Sequence, residues 1–228
     1  METDGQGMAQ VTGEWQQSQG SGLKAGNNVS VTAGRDLVLQ GSQVAAGGSA
    51  YLQAEGDVRL SAASTTNTTR LKAGSSTSSV DNQREEQRLS LASVSGDKGV
   101  TVLAGNAAVL EGAQVDSRQG HISLEANDVS VGSARRRVTD RDVEHTRDGK
   151  TKGWREMESS RNEATGSTLS GQDGITIVAR TGDIAVKAST LHSEQGDLAL
   201  QARQDVRIAS STESETRQSR EHAEKKGF

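Results

Sequence analysis

The sequence predicts an all-β fold, a parallel β-helix (β-solenoid) with about 21–23 residues per coil and polar, hairpin-like excursions. Three observations support this prediction. One pattern of aliphatic residues recurs six times, the paired aliphatic residues within it lie two apart, and the 228 residues include 26 glycines, no proline, no cysteine and only 2% aromatic residues. Such a composition suits a narrow solenoid filled by Val, Ile, Leu and Ala better than a globular core.

Each coil is expected to contain three short strands. The first strand carries one aliphatic residue, at Leu23, Val44, Val94, Val115, Leu169 and Leu191. The second carries an alternating pair, at Val29/Val31, Ala50/Leu52, Val100/Val102, Ile122/Leu124, Ile175/Ile177 and Leu198/Leu200. The third carries another pair, at Leu37/Leu39, Val58/Leu60, Ala108/Leu110, Val129/Val131, Ile184/Val186 and Val206/Ile208.

Residues two apart on a strand point to the same face, so both members of each pair are expected to face inward. The residues predicted to form the structural core are Val31, Leu39, Leu52, Leu60, Val102, Leu110, Leu124, Val131, Ile177, Val186, Leu200 and Ile208. Stacked coils pair each strand in parallel with the strands above and below it, which satisfies the backbone N–H and C=O groups.

The coil length excludes a helical repeat. Leu23 and Val44 are 21 residues apart, whereas Ile177 and Leu200 are 23 apart. A coil of this length is too short for a leucine-rich repeat with a helix, and no window has the spacing of an amphipathic helix. No span is apolar enough to cross a bilayer as a helix.

Small and turn-forming residues mark the predicted corners. An alanine follows each second pair, at Ala33, Ala54, Ala104, Ala126, Ala179 and Ala202. An aspartate precedes the third pair in five coils, where it is expected to bond its own turn backbone, at Asp36, Asp57, Asp128, Asp183 and Asp205. A glycine precedes the second pair, where it is expected to supply conformations that a β-carbon hinders, at Gly26, Gly48, Gly99, Gly120, Gly174 and Gly196.

A longer period divides the chain into blocks, each of two coils followed by a polar excursion. Val29 and Val100 are 71 residues apart, and Val100 and Ile175 are 75 apart. The predicted divisions are the end of an earlier excursion at 1–22, coils at 23–63, 94–132 and 169–209, polar arms at 64–93 and 133–168, and a truncated arm at 210–228.

The excursions allow two interpretations. Their low apolar content is typical of disordered polar loops. Their Thr and Val residues, with glycine-containing centres around Gly149 and Gly227, instead favour long two-stranded arms projecting from the coils.

The coils resemble a known family. The run from Gly26 to Leu37, GNNVSVTAGRDL, and its counterparts from Asp173 and Gly196 resemble the haemagglutinin repeats of filamentous-haemagglutinin-like exoproteins. The polar tail from Ser210 to Phe228 resembles the hairpin-forming half of the second repeat class in contact-dependent growth inhibition proteins. The resemblance covers nearly the whole chain.

The resemblance implies a right-handed parallel β-helix within a very large Gram-negative exoprotein that is exported by two-partner secretion. The implied partners are an outer-membrane transporter and the surface of a neighbouring or host cell. In toxin-delivering members this repeat class is associated with passage of a C-terminal toxin through the target's outer membrane. Because no signal peptide, secretion domain or toxin domain is visible, the chain is expected to be a fragment, or a truncated gene product, of the shaft. The parent is expected to be a large secreted, surface-displayed adhesin or contact-dependent inhibition exoprotein.

The sequence predicts no cofactor and no metal site. His121, His145, His192 and His222 lack the spacing of zinc ligands and are interpreted as solvated surface residues. The corner aspartates recur once per coil without the glycine-rich calcium-binding string. The absence of cysteine agrees with export of an unfolded chain, although it also carries a neutral interpretation.

An enzymatic alternative is a polysaccharide lyase or hydrolase on the same fold. Its candidate outward acids are Glu111, Glu125 and Asp116. The nearly identical coils lack irregular, aromatic-bearing loops that would form a sugar cleft, so a non-enzymatic chain is predicted.

Five residues are candidate partner contacts. Arg135, Arg136 and Arg137 could bind phosphate or anionic lipopolysaccharide, but acidic residues follow them, and a charge-balanced arm is the preferred interpretation. A net charge of −4 argues against nucleic-acid binding. Trp15 and Trp154 are expected to pack an arm onto the shaft, or else to present an aromatic contact to a membrane or partner. Uncapped coil ends also predict end-to-end self-association of the fragment.

Overall fold

A computed structural model describes residues 8–225. This part of the chain is all-β, with 23 strands. Its parallel strands form three walls, and antiparallel strands form a separate projecting sheet. A search of the same residues finds no helix with the length and apolarity needed to cross a bilayer.

Each wall contains six strands. The first wall consists of β2 (Gly22–Ala25), β5 (Gln43–Ala46), β10 (Ala92–Gly96), β13 (Ala113–Ser117), β17 (Thr168–Gly171) and β20 (Thr190–Ser193). The second consists of β3 (Val29–Ala33), β6 (Ser49–Ala54), β11 (Gly99–Ala104), β14 (His121–Ala126), β18 (Gly174–Ala179) and β21 (Asp197–Ala202). The third consists of β4 (Leu37–Gln40), β7 (Val58–Ser61), β12 (Ala107–Glu111), the start of β15 (Asp128–Asp148), β19 (Ile184–Lys187) and β22 (Val206–Ala209).

The chain visits the first, second and third walls in turn, and we call one such passage a coil. In the second wall the paired residues form one file, which runs Val31, Leu52, Val102, Leu124, Ile177 and Leu200. The first and third walls keep the same correspondence, with Leu23 paired to Val44 and Leu39 to Leu60. This arrangement of parallel sheets is consistent with a parallel β-helix.

The interior between the walls is aliphatic. Of the twelve residues predicted for the core, eight are buried: Leu52, Leu60, Val102, Leu110, Leu124, Val131, Ile177 and Val186. Three others, Val31, Leu39 and Leu200, are half-buried and pack against this cluster. Full burial of one such side chain contributes roughly 1.5–3 kcal/mol, so the files stabilise the stacked coils.

Ile208 differs from its prediction, because it is 74% exposed. Its strand, β22, pairs with β19 on one side, and no other described strand lies on its other side. Within residues 8–225, Ile208 is therefore covered by a coil on one side only, and its side chain stays open to solvent.

The corner aspartates also differ from expectation, because they connect successive coils. Asp36 Oδ1 accepts a hydrogen bond from the backbone N–H of Asp57 at 2.9 Å. Asp128 Oδ1 accepts one from the N–H of Asp183 at 3.0 Å, and Asp183 Oδ1 accepts one from that of Asp205 at 2.9 Å. These side chains therefore stabilise the stack of coils.

The corner glycines serve two different purposes. Gly174 has a φ of 126°, in the region that L-residues rarely adopt. Gly196, the equivalent position one coil later, is required for space, because a β-carbon there would lie 1.8 Å from the carbonyl oxygen of Asp173. The expectation of an unusual conformation thus holds for some of these glycines and not for all.

The polar excursions form arms that join into one antiparallel sheet, which we call the arm sheet. Its strands, in spatial order, are β1 (Met8–Glu14), β8 (Ala63–Gly74), β9 (Ser78–Ser90), the distal part of β15 (residues 133–148), β16 (Thr151–Gly166) and β23 (Ser214–Lys225). Strand β15 runs from the third wall directly into this sheet.

The arms and the coils repeat with the same step. Each complete block adds two strands to every wall and two strands to the arm sheet. Hydrogen-bonded strands lie about 4.8 Å apart in either kind of sheet. The arm sheet and the stacked coils therefore lengthen by the same distance in each block, and the two stay aligned along the molecule.

Candidate functional site

The arm sheet presents two polar faces. Side chains alternate along β15, so we define the front face by its odd positions from Arg135 to Arg147 and the back face by its even positions from Ala134 to Asp148. Cross-strand pairing places each residue of the other arm strands in one of these two sets.

Paired charges cover both faces. On the front face, Arg70 lies 2.5 Å from Asp81, and Arg141 lies 2.6 Å from Glu156. On the back face, Arg136 lies 2.5 Å from Glu163, and Arg84 lies 3.3 Å from Asp140. These ion pairs help to hold neighbouring strands together in a sheet that has no apolar face. Each exposed pair contributes little to stability by itself.

Among residues 8–225, two carboxylates have shifted pKa values. The hydrogen bond from Arg70 holds the pKa of Asp81 below its ordinary range, with a smaller contribution from the positive charge itself. The hydrogen bond from Arg217 likewise lowers the pKa of Glu215. Both groups lie in the arm sheet, so protonation of either carboxylate weakens an ion pair of that sheet.

A shallow trough of about 430 Å³ lies on the front face. Hydroxyl, amide, guanidinium and carboxylate groups line it, from Thr66, Gln83, Glu85, Gln87, Arg137, Thr139, Arg141 and Glu158. This lining can donate and accept hydrogen bonds, and it suits a polar surface better than an apolar ligand.

The three consecutive arginines point to different faces. Arg136 lies on the back face between Glu163 and Glu86, with Nη1 3.5 Å from Glu86. Arg137 lies on the front face and donates to Ser160 Oγ at 3.0 Å, and Arg135 donates to Ser211 Oγ at 3.4 Å. The run is therefore split between two faces, and only Arg136 pairs with acids.

The structure does not show Trp15 or Trp154 packing an arm onto the stacked coils, as the sequence had led us to expect. Trp154 is twelve residues from the arm base at Gly166, about 40 Å along an extended strand. Its ring centroid lies 6.4 Å from that of His222. Trp15 is 70% exposed, and its ring lies over Gly13, where any β-carbon would be 2.3 Å from it. Both rings are aromatic features of the arm sheet.

The histidines are exposed and separated. His121 lies on the second wall, with Nε2 2.9 Å from Thr176 Oγ1, and His192 lies on the first wall. His145 and His222 flank Trp154 in one cross-strand row. No group of three or more metal-ligating side chains occurs within residues 8–225.

The candidate catalytic acids do not converge. Asp116 points outward from the first wall, Glu125 from the second and Glu111 from the third. Glu125 pairs with Arg180 at 3.2 Å. A glycosidase requires two carboxyl groups on either side of one bond, and three different walls cannot provide that geometry.

Sequence reasoning did not find that neighbouring arms pair with each other. Strand β9 of one arm pairs with β15 of the next, from Thr146 opposite Ser78 to Val138 opposite Glu86. The available signal was Val138, an aliphatic residue in a polar excursion that is only 7% exposed.

Comparison with known proteins gives two similarities. Residues 5–82 and 148–227 match the family model described as hemagglutinin repeat. The chain is also 30% identical over 205 residues to the tRNA nuclease CdiA-2 of Burkholderia pseudomallei (strain 1026b). That alignment covers 84% of this chain and 6% of the relative's length. No solved structure matches the chain significantly.

Proposed function

We infer the function of this chain from its family, because the chain belongs to the hemagglutinin-repeat proteins. Membership confirms the resemblance predicted from the sequence. Exoproteins of this kind are secreted and displayed at the cell surface, which confirms the predicted location.

We propose that the chain is a non-enzymatic shaft segment of such an exoprotein. A right-handed β-helix, with coils at residues 23–63, 94–132 and 169–209, holds the polar arms at regular intervals. The observation that carries this proposal is the common step of coils and arms, since every complete block extends the walls and the arm sheet by two strands each. A rigid repeat with exposed polar arms is suited to spanning a distance and presenting contacts.

The parent exoprotein would reach the surface through an outer-membrane transporter and support contact with a neighbouring or host cell. Delivery of a toxin through the target's outer membrane is a further role within this proposal. The residues proposed for partner contact are Trp15, Trp154, Arg135, Arg136 and Arg137, because all lie in or beside the exposed arm sheet.

Shortening one arm tests the proposal. In the parent exoprotein, residues 135–164 are replaced by Asn-Gly, which joins the opposed residues Ala134 and Thr165 in a two-residue hairpin. We expect surface display to persist, because the walls are untouched, and adhesion to neighbouring cells to fall.

The matched control removes only the arm tip, with Asn-Gly in place of residues 147–152 between the opposed residues Thr146 and Gly153. Adhesion should then be retained. Full adhesion after removal of the whole arm would contradict a contact role for this arm. Cleavage of pectin or a similar glycan by the purified chain, lost in the Glu111→Ala, Asp116→Ala and Glu125→Ala variants, would instead support an enzyme.

A further inference from the structure

One cross-strand row on the front face of the arm sheet repeats a polar pattern along the shaft. The row crosses the six described arm strands and consists of Glu14, Thr68, Glu85, Thr139, Ser160 and Thr216. A threonine occupies every second strand of this row, and two strands span about 9.6 Å. The row therefore places hydroxyl groups at one fixed spacing along the molecule, with a carboxylate or a hydroxyl between them.

The first two of these threonines lie in equivalent depressions. The front-face trough of about 430 Å³ includes Thr139, and a second depression of about 320 Å³ includes Thr68. Each is lined by the glutamate directly opposite its threonine, Glu85 in the trough and Glu14 in the second depression. The site thus occurs twice, once at each junction between neighbouring arms.

An arginine two residues beyond each threonine completes the depression, and an acid holds it in place. Arg70 bonds Asp81 through Nε and Nη2, and Arg141 bonds Glu156 through the same two nitrogens. This pairing fixes each guanidinium group and leaves its third nitrogen, Nη1, to donate hydrogen bonds to a ligand.

Both depressions are formally neutral. The trough is lined by two arginines and two glutamates, and the second depression by one of each. A polyanion would therefore meet a carboxylate at every site, and a polycation would meet a guanidinium. An uncharged ligand whose groups both donate and accept hydrogen bonds fits the lining of both depressions.

The spacing of the sites points to a polymer of sugars. Side chains on one face of an extended peptide recur every two residues, about 6.8 Å, which does not match the row. A polyproline II peptide repeats at about 9.3 Å, but the grooves that bind it are lined by aromatic rings. The linings of these two depressions contain no aromatic side chain. Two pyranose units of an extended linear glycan have nearly the same length as the spacing of the threonines.

We propose that this row binds a linear, uncharged polysaccharide on the surface of the contacted cell. The glycan lies along the shaft, with two sugar units for each threonine. The inference rests on the proposed adhesive role of the arm sheet and names the class of molecule that the arms contact. Each site binds weakly, and neighbouring sites on one glycan chain add to one another because they are linked.

A titration followed by nuclear magnetic resonance tests the proposal in the full 228-residue chain, labelled with nitrogen-15. The ligands are uncharged β-linked glucan, mannan and N-acetylglucosamine oligomers. We expect at least one of them to shift the backbone amides of β8, β9 and β15, and to bind more tightly as the oligomer lengthens. Thr68→Val with Thr139→Val removes two hydroxyls at nearly constant shape and should weaken that binding roughly tenfold.

The matched control is Thr69→Val with Thr146→Val, which makes the same change on the back face of the same two strands. It should bind like the wild type. Amide shifts of the wall strands show whether either variant is misfolded.

Charged ligands test the neutrality of the site. Oligogalacturonate, an anionic chain, and deacetylated N-acetylglucosamine oligomers, a cationic chain, should bind less tightly than the uncharged chain. Glu85→Gln should keep the binding of the uncharged chain within about twofold and improve that of oligogalacturonate, because it leaves the trough with a net positive charge.

Three results would overturn the inference: no binding of any uncharged chain, tighter binding of a charged one, or equal loss in the front-face and back-face variants. If shortening the arm abolishes cell adhesion while no uncharged chain binds, the glycan assignment fails and the adhesive role of the arm stands.

Discussion

Individual residues at the turn between the third and first walls share one unusual backbone conformation. Gly41, Gly112 and Ala188 occupy this turn in the first coil of each block, with φ of 53°, 61° and 49°. Left-handed backbone costs an L-residue roughly 1–2 kcal/mol, whereas glycine adopts it freely. Ala188 is the only non-glycine residue with positive φ among residues 8–225.

Ala188→Gly should therefore raise the free energy of unfolding by about 0.5–1 kcal/mol, after allowance for the greater flexibility of glycine in the unfolded chain. Urea denaturation checks this value. The reciprocal control, Gly112→Ala, should destabilise, because its β-carbon would lie 2.6 Å from that of Ala134. An unchanged or lower stability of Ala188→Gly would contradict the strain argument.

Sequence reasoning at this scale found the corner residues but not all of their contacts. The aspartates were expected to bond their own turns, and Asp36 and Asp183 instead accept from the next coil. A short carboxylate can reach either backbone, and the choice depends on the position of a coil more than twenty residues away. The spacing of residues along the chain does not give the distance between an aspartate and the backbone of the next coil.

At the scale of elements, the arms are held by ion pairs and backbone pairing in place of an apolar core. Strands β8 and β9 form one hairpin from Ala63 opposite Ser90 to Gly74 opposite Ser79. Alternating polar residues could predict such a hairpin, but they could not predict which strand would lie beside it. The partner strand β15 begins its arm more than forty residues beyond β9, and polar faces specify register weakly.

The pair between Arg70 and Asp81 gives this hairpin a pH dependence. The folded state lowers the pKa of Asp81 relative to the unfolded chain, so its stabilisation is complete above the ordinary value of 3.8 and is lost as the pH falls through the lower folded value. We expect Asp81→Asn to loosen the hairpin at pH 7 and to differ little from the wild type in strong acid.

Amide hydrogen exchange in β8 and β9, compared between the two proteins at each pH, measures this effect. Asp142→Asn, on an exposed position of β15, is the control and should leave exchange in β8 and β9 unchanged. A difference between Asp81→Asn and wild type that persists undiminished in strong acid would contradict the assignment to this ion pair.

For the whole molecule, stability depends on continuous files of aliphatic residues. Leu124 is 1% exposed and lies between Val102 and Ile177 in the second wall. A charge there cannot be solvated, and no cation is in the file to pair with it. We expect Leu124→Asp to abolish the cooperative unfolding transition, as measured by circular dichroism on heating.

Ser123→Asp is the matched control, since Ser123 is the neighbouring outward position on the same strand. It should melt close to the wild type. If Leu124→Asp instead melted at the wild-type temperature, the inward orientation of the file would be wrong.

The sequence by itself determined the walls of this protein. Aliphatic residues two apart, repeated every 21–23 positions, can all be buried only if each strand lies on its equivalent in the next coil, and Val31, Leu52 and Val102 do so. Tertiary structure alone decided how the arms join. Polar strands such as β9 and β15 carry no burial requirement that selects a neighbour, so their pairing follows from the common step of coils and arms.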